Sequence, residues 1–189
     1  MGALRDCEAF VDVFWGQPAN SVTALGFVAA GLLIILRTDR VWVGVAAIAT
    51  GIGSFLFHGW LPDSSELAHD ATLSWLLLIV AGTGRSWERW THLRGLAAVT
   101  LVSAIPRFAD PVGAILALAA VVTRLDEDRS IATVGPLTLL TVVAVLGRLG
   151  STGGPLCDPG SLLQPHAVWH LGAAVALAWW AIGTAGEEP

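Results

Sequence analysis

The chain has no lysine, and its ten basic residues are all arginine. Charge of either sign is scarce: 13% of residues are charged and 54% are hydrophobic. A soluble domain carries about 25% charged residues, so this composition excludes an ordinary one, and the mean hydropathy of +0.69 agrees. There are only two cysteines, too few for a thiolate cluster or a disulfide-dense scaffold. No basic stripe is present, which argues against a nucleic-acid partner, and nothing points to an obligate protein partner. Internal repeats, heptad runs and low-complexity tracts are also missing. The first twenty residues carry Asp6, Glu8 and Asp12 and lack the continuous apolar stretch of a cleavable signal peptide.

What is there instead is a series of long apolar stretches with short polar breaks. The expectation is a single all-α domain over 1–189, a polytopic membrane protein with about seven transmembrane helices. In lipid each segment must be a helix, because no water satisfies an open backbone. The expected segments are Asn20 to Leu36, Val41 to Leu61, Glu66 to Gly84, Gly95 to Ala109, Pro111 to Leu125, Ile131 to Leu149 and Leu162 to Gly183. The fourth and fifth are short for a span of about 20 residues, with Asp110-Pro111 as the turn between them. Trp87 and Trp90 are expected as interfacial anchors, and His92 as a solvated loop residue.

With seven spans, one side receives Arg37, Arg40, Arg85, Arg89, Arg94, Arg124 and Arg129, and the other Arg5, Arg107 and Arg148. Seven against three puts the N-terminus outside and the C-terminus in the cytoplasm. The Ala/Gly/Leu-rich, arginine-only composition and compact loops suggest a bacterial inner membrane. Cys7 and Cys157 then both fall outside, where disulfides persist. They are either a bridge, with no other cysteine to compete, or two unrelated thiols.

That topology makes three histidines informative. His58 lies near the outer end of the second segment, and His166 and His170 near the outer end of the seventh. The last two are spaced i, i+4 and share a helix face, as do Ser54 and His58. A lone histidine in such a helix more often serves structure. Three at one depth suggest a zinc site with one position left for water. Haem is a rival, but two histidines on one helix face fit a shared small ion better. Asp70, beside His69 near the outer start of the third segment, would cost about 3 kcal/mol at the bilayer centre and calls for a partner.

Ser54-x3-His58, then Asp70, then His166-x3-His170 in the last span resembles the alkaline ceramidases, of the CREST superfamily of seven-span membrane hydrolases that also holds the adiponectin receptors. Cys7-Glu8, Phe14-Trp15 and Asn20 are similar to that family's first segment. The resemblance implies zinc on His58, His166 and His170, with Asp70 and Ser54 as catalytic residues at the reacting centre. It implies an N-out seven-helix fold, and a disulfide matching Cys7 and Cys157. It also implies an N-terminal calcium site, for which Asp6, Glu8 and Asp12 are the candidate ligands, although Phe10 stands where an oxygen ligand is expected. The spacing from His58 to Asp70 is one residue longer than the family pattern. The expected activity is hydrolysis of a ceramide or similar lipid amide drawn from the membrane. The alternative is a non-enzymatic receptor or scaffold whose metal only staples two helices.

Overall fold

The computed structural model describes residues 6–12, 15–59, 63–84 and 89–185, with the backbone alone at 63–64. Arg5, Phe14, Leu61, Arg85 and Trp87, named above from the sequence, lie outside the described residues. The described residues form seven α-helices and no strand. These are α1 (Pro18–Arg37), α2 (Val41–Gly59), α3 (Asp63–Gly82), α4 (Arg89–Ser103), α5 (Pro106–Glu127), α6 (Ile131–Leu149) and α7 (Pro165–Gly183).

Proline punctuates the starts. Pro18, Pro106 and Pro165 each stand in the first turn of their helix, where the missing N–H would have no intrahelical partner and the fixed φ already suits the helix. This corrects the expected turn at Asp110-Pro111. The chain turns at Ala104-Ile105, α5 opens at Pro106, and Pro111 lies inside the helix. The physical reason is that a proline near a helix start removes only one backbone bond, whereas Pro106 is preorganised to begin one. The last helix likewise begins at Pro165 and not at Leu162.

Among the described residues, four helices are long and apolar enough to cross a membrane, not seven: α1, α2, α5 and α6. Among the others, α4 has 15 residues. The first turns of α3 carry Asp63, Glu66, His69 and Asp70, and α7 mixes two histidines and three tryptophans into its apolar run. The apolar helices show the outward-facing side chains such an environment wants: Ile115 and Leu118 on α5 are each 65% exposed.

Packing puts α1 between α2 and α7, and continues from α2 to α3, from α3 to α4 and α5, and from α5 through α6 to α7. Small residues allow the α1–α2 approach. A Cβ on Gly31 would stand 2.5 Å from the Gly44 carbonyl oxygen, so only glycine fits. The core gathers Phe27, Ala30 and Ile34 of α1 with Val43, Ala46 and Ala47 of α2, Trp75 and Ile79 of α3, and Ala173, Ala174 and Trp180 of α7. Through α1, the second and last helices become neighbours although more than a hundred residues separate them. That is what the histidine argument requires.

His92 is a second correction. It is buried on α4 and not solvated in a loop. Its ring stacks on Trp42 at 4.8 Å between centroids, and its carbonyl accepts from Trp75 Nε1 at 3.0 Å. The fourth helix starts six residues before the expected Gly95, which draws His92 into the packing. Trp90 is exposed.

Arginines close the far end of the bundle. Arg40 donates to the carbonyls of Ala181 and Thr184 and to the Thr184 hydroxyl, and lies over the Trp180 ring. A cation there satisfies the last carbonyls of α7 and complements its dipole. Arg124 donates to the Thr83 carbonyl and pairs with Glu127.

Candidate metal centre

The end of α2 and the start of α7 bring His58, His166 and His170 together. One ring nitrogen from each lies within 4.8 Å of the other two. They are the one group of three or more histidines, cysteines or acids within such reach among the described residues. His58 and His170 are buried and His166 is half-buried. Ring centroids are 5.0 Å apart for His58–His166, 5.1 Å for His58–His170 and 4.5 Å for His166–His170.

The polar contacts of these rings share one pattern, hydrogen bonds at His58 and His170 and a longer carboxylate contact at His166, all on Nδ1. His58 Nδ1 lies 2.8 Å from Gln17 Oε1. His170 Nδ1 lies 3.1 Å from the Asn20 carbonyl oxygen and 3.3 Å from Thr23 Oγ1. His166 Nδ1 lies 3.4 Å from Asp6 Oδ1. Nε2 is different: on His58 and on His166 it is buried with no hydrogen-bond partner. A buried unsatisfied nitrogen is costly and calls for an explanation. Imidazoles held by Nδ1–H···O bonds, with Nε2 turned to a common point, are the arrangement expected of metal ligands. The residues present therefore fit a small divalent ion.

Ser54 lies one turn before His58 on α2. It is fully buried, with Oγ 3.3 Å from His170 Nε2. The expected i, i+4 stacking thus brings the hydroxyl to the histidines. Asp70 is placed differently. Its Oδ1 lies 3.0 Å from His69 Nδ1. His69 stacks on Phe57 and its ring centroid is 6.4 Å from that of His58. The pair lies beside the site, with the His69 ring the member near His58. The carboxylate nearest these histidines among the described contacts is Asp6, which also comes within 4.0 Å of His58 Nδ1.

The three candidate calcium ligands do not gather. Asp6 faces the histidines. Glu8 accepts from the Ala19 and Asn20 amides at 2.7 and 2.9 Å, closing the N-terminus of α1, a favourable place for a carboxylate. Asp12 is exposed. Short-range carboxylate spacing did not distinguish a helix-closing acid from an ion ligand. Gln17 escaped the sequence reading altogether. It is fully buried just before Pro18, and a polar residue at the mouth of an apolar segment was its only sign.

Cys7 and Cys157 are joined by a disulfide with 5.6 Å between Cα atoms. It ties the N-terminal segment to the loop that leads into α7. The Cys7 amide also donates to Thr152 Oγ1 at 3.1 Å, and the Ala9 amide to the Pro159 carbonyl at 3.0 Å.

Fold and site together define an all-α protein with apolar, membrane-compatible helices and a buried three-histidine centre at one end. No protein-family model matches the chain, and no curated protein matches it.

Proposed function

We propose that this protein is a seven-span, zinc-dependent lipid-amide hydrolase of the ceramidase type, N-terminus outside, in a bacterial inner membrane. The observation that carries the reading is the three-histidine cluster, with the Nε2 atoms of His58 and His166 buried and unpartnered. Support for a membrane setting comes from the four apolar helices and their exposed Leu, Ile and Val side chains. In this reading α3, α4 and α7 are spans as well, packed along the other four. The end with Arg40 and Arg124 faces the cytoplasm, in keeping with the arginine bias.

Zinc is preferred because an all-imidazole set of three with no thiolate suits it, and a bound zinc supplies Lewis-acid activation of water near neutral pH. His58, His166 and His170 would hold it. Ser54 donates a hydrogen bond to the amide carbonyl oxygen as charge develops there. Asp70, held by His69, receives the proton of the attacking water. It returns that proton to the amide nitrogen as the C–N bond breaks, first base and then acid. The products are a fatty acid and a free amine. An N-acyl sphingoid lipid fits, since its amide lies at interfacial depth and its tails remain in the bilayer.

Purified protein should contain about one zinc per chain, by the three-ligand argument, and release fatty acid from a ceramide in mixed micelles. His166→Ala should lose both metal and turnover. If that variant keeps full zinc content and activity, the mechanism is wrong. A protein that binds zinc but leaves every N-acyl lipid intact, unchanged by Asp70→Asn, is instead a scaffold with a structural metal.

A further inference from the structure

The three histidines come from α2 and α7, yet the acceptors on their Nδ1 atoms come from neither. Gln17, Asn20 and Asp6 all lie in one short stretch, residues 6–20. We propose that this stretch is an orienting collar for the metal site. In it Asp6, Gln17 and the Asn20 carbonyl hold the three Nδ1 atoms and leave the Nε2 atoms for the ion. The proposal rests on the metal reading above. It adds Gln17 and Asp6 as positioning residues and gives the N-terminal segment a role in metal affinity.

The chemistry of each acceptor sets the tautomer. The Asn20 carbonyl can only accept, so His170 Nδ1 carries the hydrogen in that bond. For His58 the question is which end of the Gln17 amide it meets. Gln17 Nε2 lies 2.9 Å from the Glu8 carbonyl oxygen, an acceptor. The amide group must therefore turn its NH₂ to Glu8 and its oxygen to His58. That oxygen, at 2.8 Å, then requires the hydrogen on His58 Nδ1. At His166 the Asp6 carboxylate, an acceptor by charge, lies 3.4 Å from Nδ1 and favours the hydrogen there. A hydrogen on Nδ1 puts the lone pair on Nε2, and on His58 and His166 that atom is the buried one without a partner.

The collar is itself held by contacts besides those to the Nδ1 atoms. Glu8 grips the first-turn amides of α1 and so fixes Asn20. The Gln17 amide donates to the His58 carbonyl at 2.9 Å. Cys7 stands at φ 67. It turns the chain so that Asp6 on one side reaches the histidines and Glu8 on the other reaches α1. The disulfide to Cys157 anchors that turn.

The test uses the full chain in detergent and the metal alone. Zinc affinity is measured by competition with a chromophoric chelator, and geometry by the visible spectrum of the Co²⁺-loaded protein. Gln17→Leu and Asp6→Leu should each bind zinc about 10- to 100-fold more weakly, with an altered Co²⁺ spectrum. Gln17→Glu and Asp6→Asn, which keep an acceptor, should stay much closer to wild type. Leucine variants that bind as tightly as wild type, while His166→Ala does not bind, overturn the collar and leave the metal reading standing. Wild-type protein that takes up no zinc overturns both. Should a leucine variant fail to fold, ¹⁵N-histidine NMR of the metal-free wild-type protein decides. Nδ1–H tautomers at His58, His166 and His170 are expected, and Nε2–H tautomers there overturn the proposal.

Discussion

Gly16 stands at φ 47, and a Cβ there would lie 2.4 Å from the Gly59 carbonyl oxygen and 2.6 Å from that of His58. No neighbouring side chain can yield to relieve this, because both contacts are backbone. Gly16→Ala should therefore push Gln17 off His58 and weaken zinc binding by tenfold or more, on the order of other losses around metal ligands. Chelator competition reads it, and unchanged affinity would refute it. Ser54 belongs to a different chemistry. Its hydroxyl reaches the site without standing among the acceptors on Nδ1. Ser54→Ala should keep its zinc and lose about 10²- to 10³-fold in kcat, the scale of a lost oxyanion donor. Stoichiometric metal with unchanged kcat would remove Ser54 from the reaction. At this scale the sequence was partly legible. His58, His166, His170 and Ser54 were found because helical spacing stacks i and i+4. Asp6, Gln17 and Asn20 in their observed roles were not, because their partners lie across the fold.

Among the elements, the best-marked start is that of α6. Ser130 is its N-cap, accepting from the Ala132 amide. Asp128, in the loop before it, accepts from the Thr133 and Ser130 hydroxyls at 2.6 and 2.7 Å and from the Ser130 amide at 2.8 Å. The Thr133 and Ser130 hydroxyls and the Ser130 amide hold the Asp128 carboxyl below its usual pKa. The folded value is the lower one. The stabilisation is therefore complete above the unfolded pKa of about 4, and it is lost as pH falls through the folded value. Melting curves from pH 6 down to pH 2 should show wild type above Asp128→Asn at the upper end and the two converging at the lower. A constant gap across that range would contradict the assignment. The α6 boundaries agree with the sequence reading, since Ser130 and the apolar run mark them locally. The start of α5 does not, because two prolines compete for it, and the chain turns at Ala104-Ile105, before the first of them.

For the molecule as a whole, the disulfide joins positions 150 residues apart. Closing so long a loop would stabilise a freely unfolding chain by about 5 kcal/mol in the entropy picture. Apolar helices that stay in detergent or lipid already restrict the unfolded chain, so the effect should be smaller. Replacing Cys7 and Cys157 together by serine should lower the melting temperature by several degrees, about 2–4 °C per kcal/mol at this size. It should also weaken zinc binding, since the collar loses its anchor. A pair of serines that lowers the melting temperature but leaves zinc affinity untouched would separate the bridge from the metal site.

Composition and hydropathy by themselves determined an all-helical chain with apolar elements, because burial of backbone in an apolar medium leaves few other solutions. The spacing also singled out the three histidines, since helical geometry turns a four-residue interval into a shared face. Tertiary structure alone decided what surrounds those histidines. It set Asp70 against His69, brought Asp6 to His166, closed α1 with Glu8 and placed Gln17 against His58. The reason is one of range. A spacing along one helix is written in consecutive residues, whereas a hydrogen bond to Nδ1 depends on how α1 packs between α2 and α7.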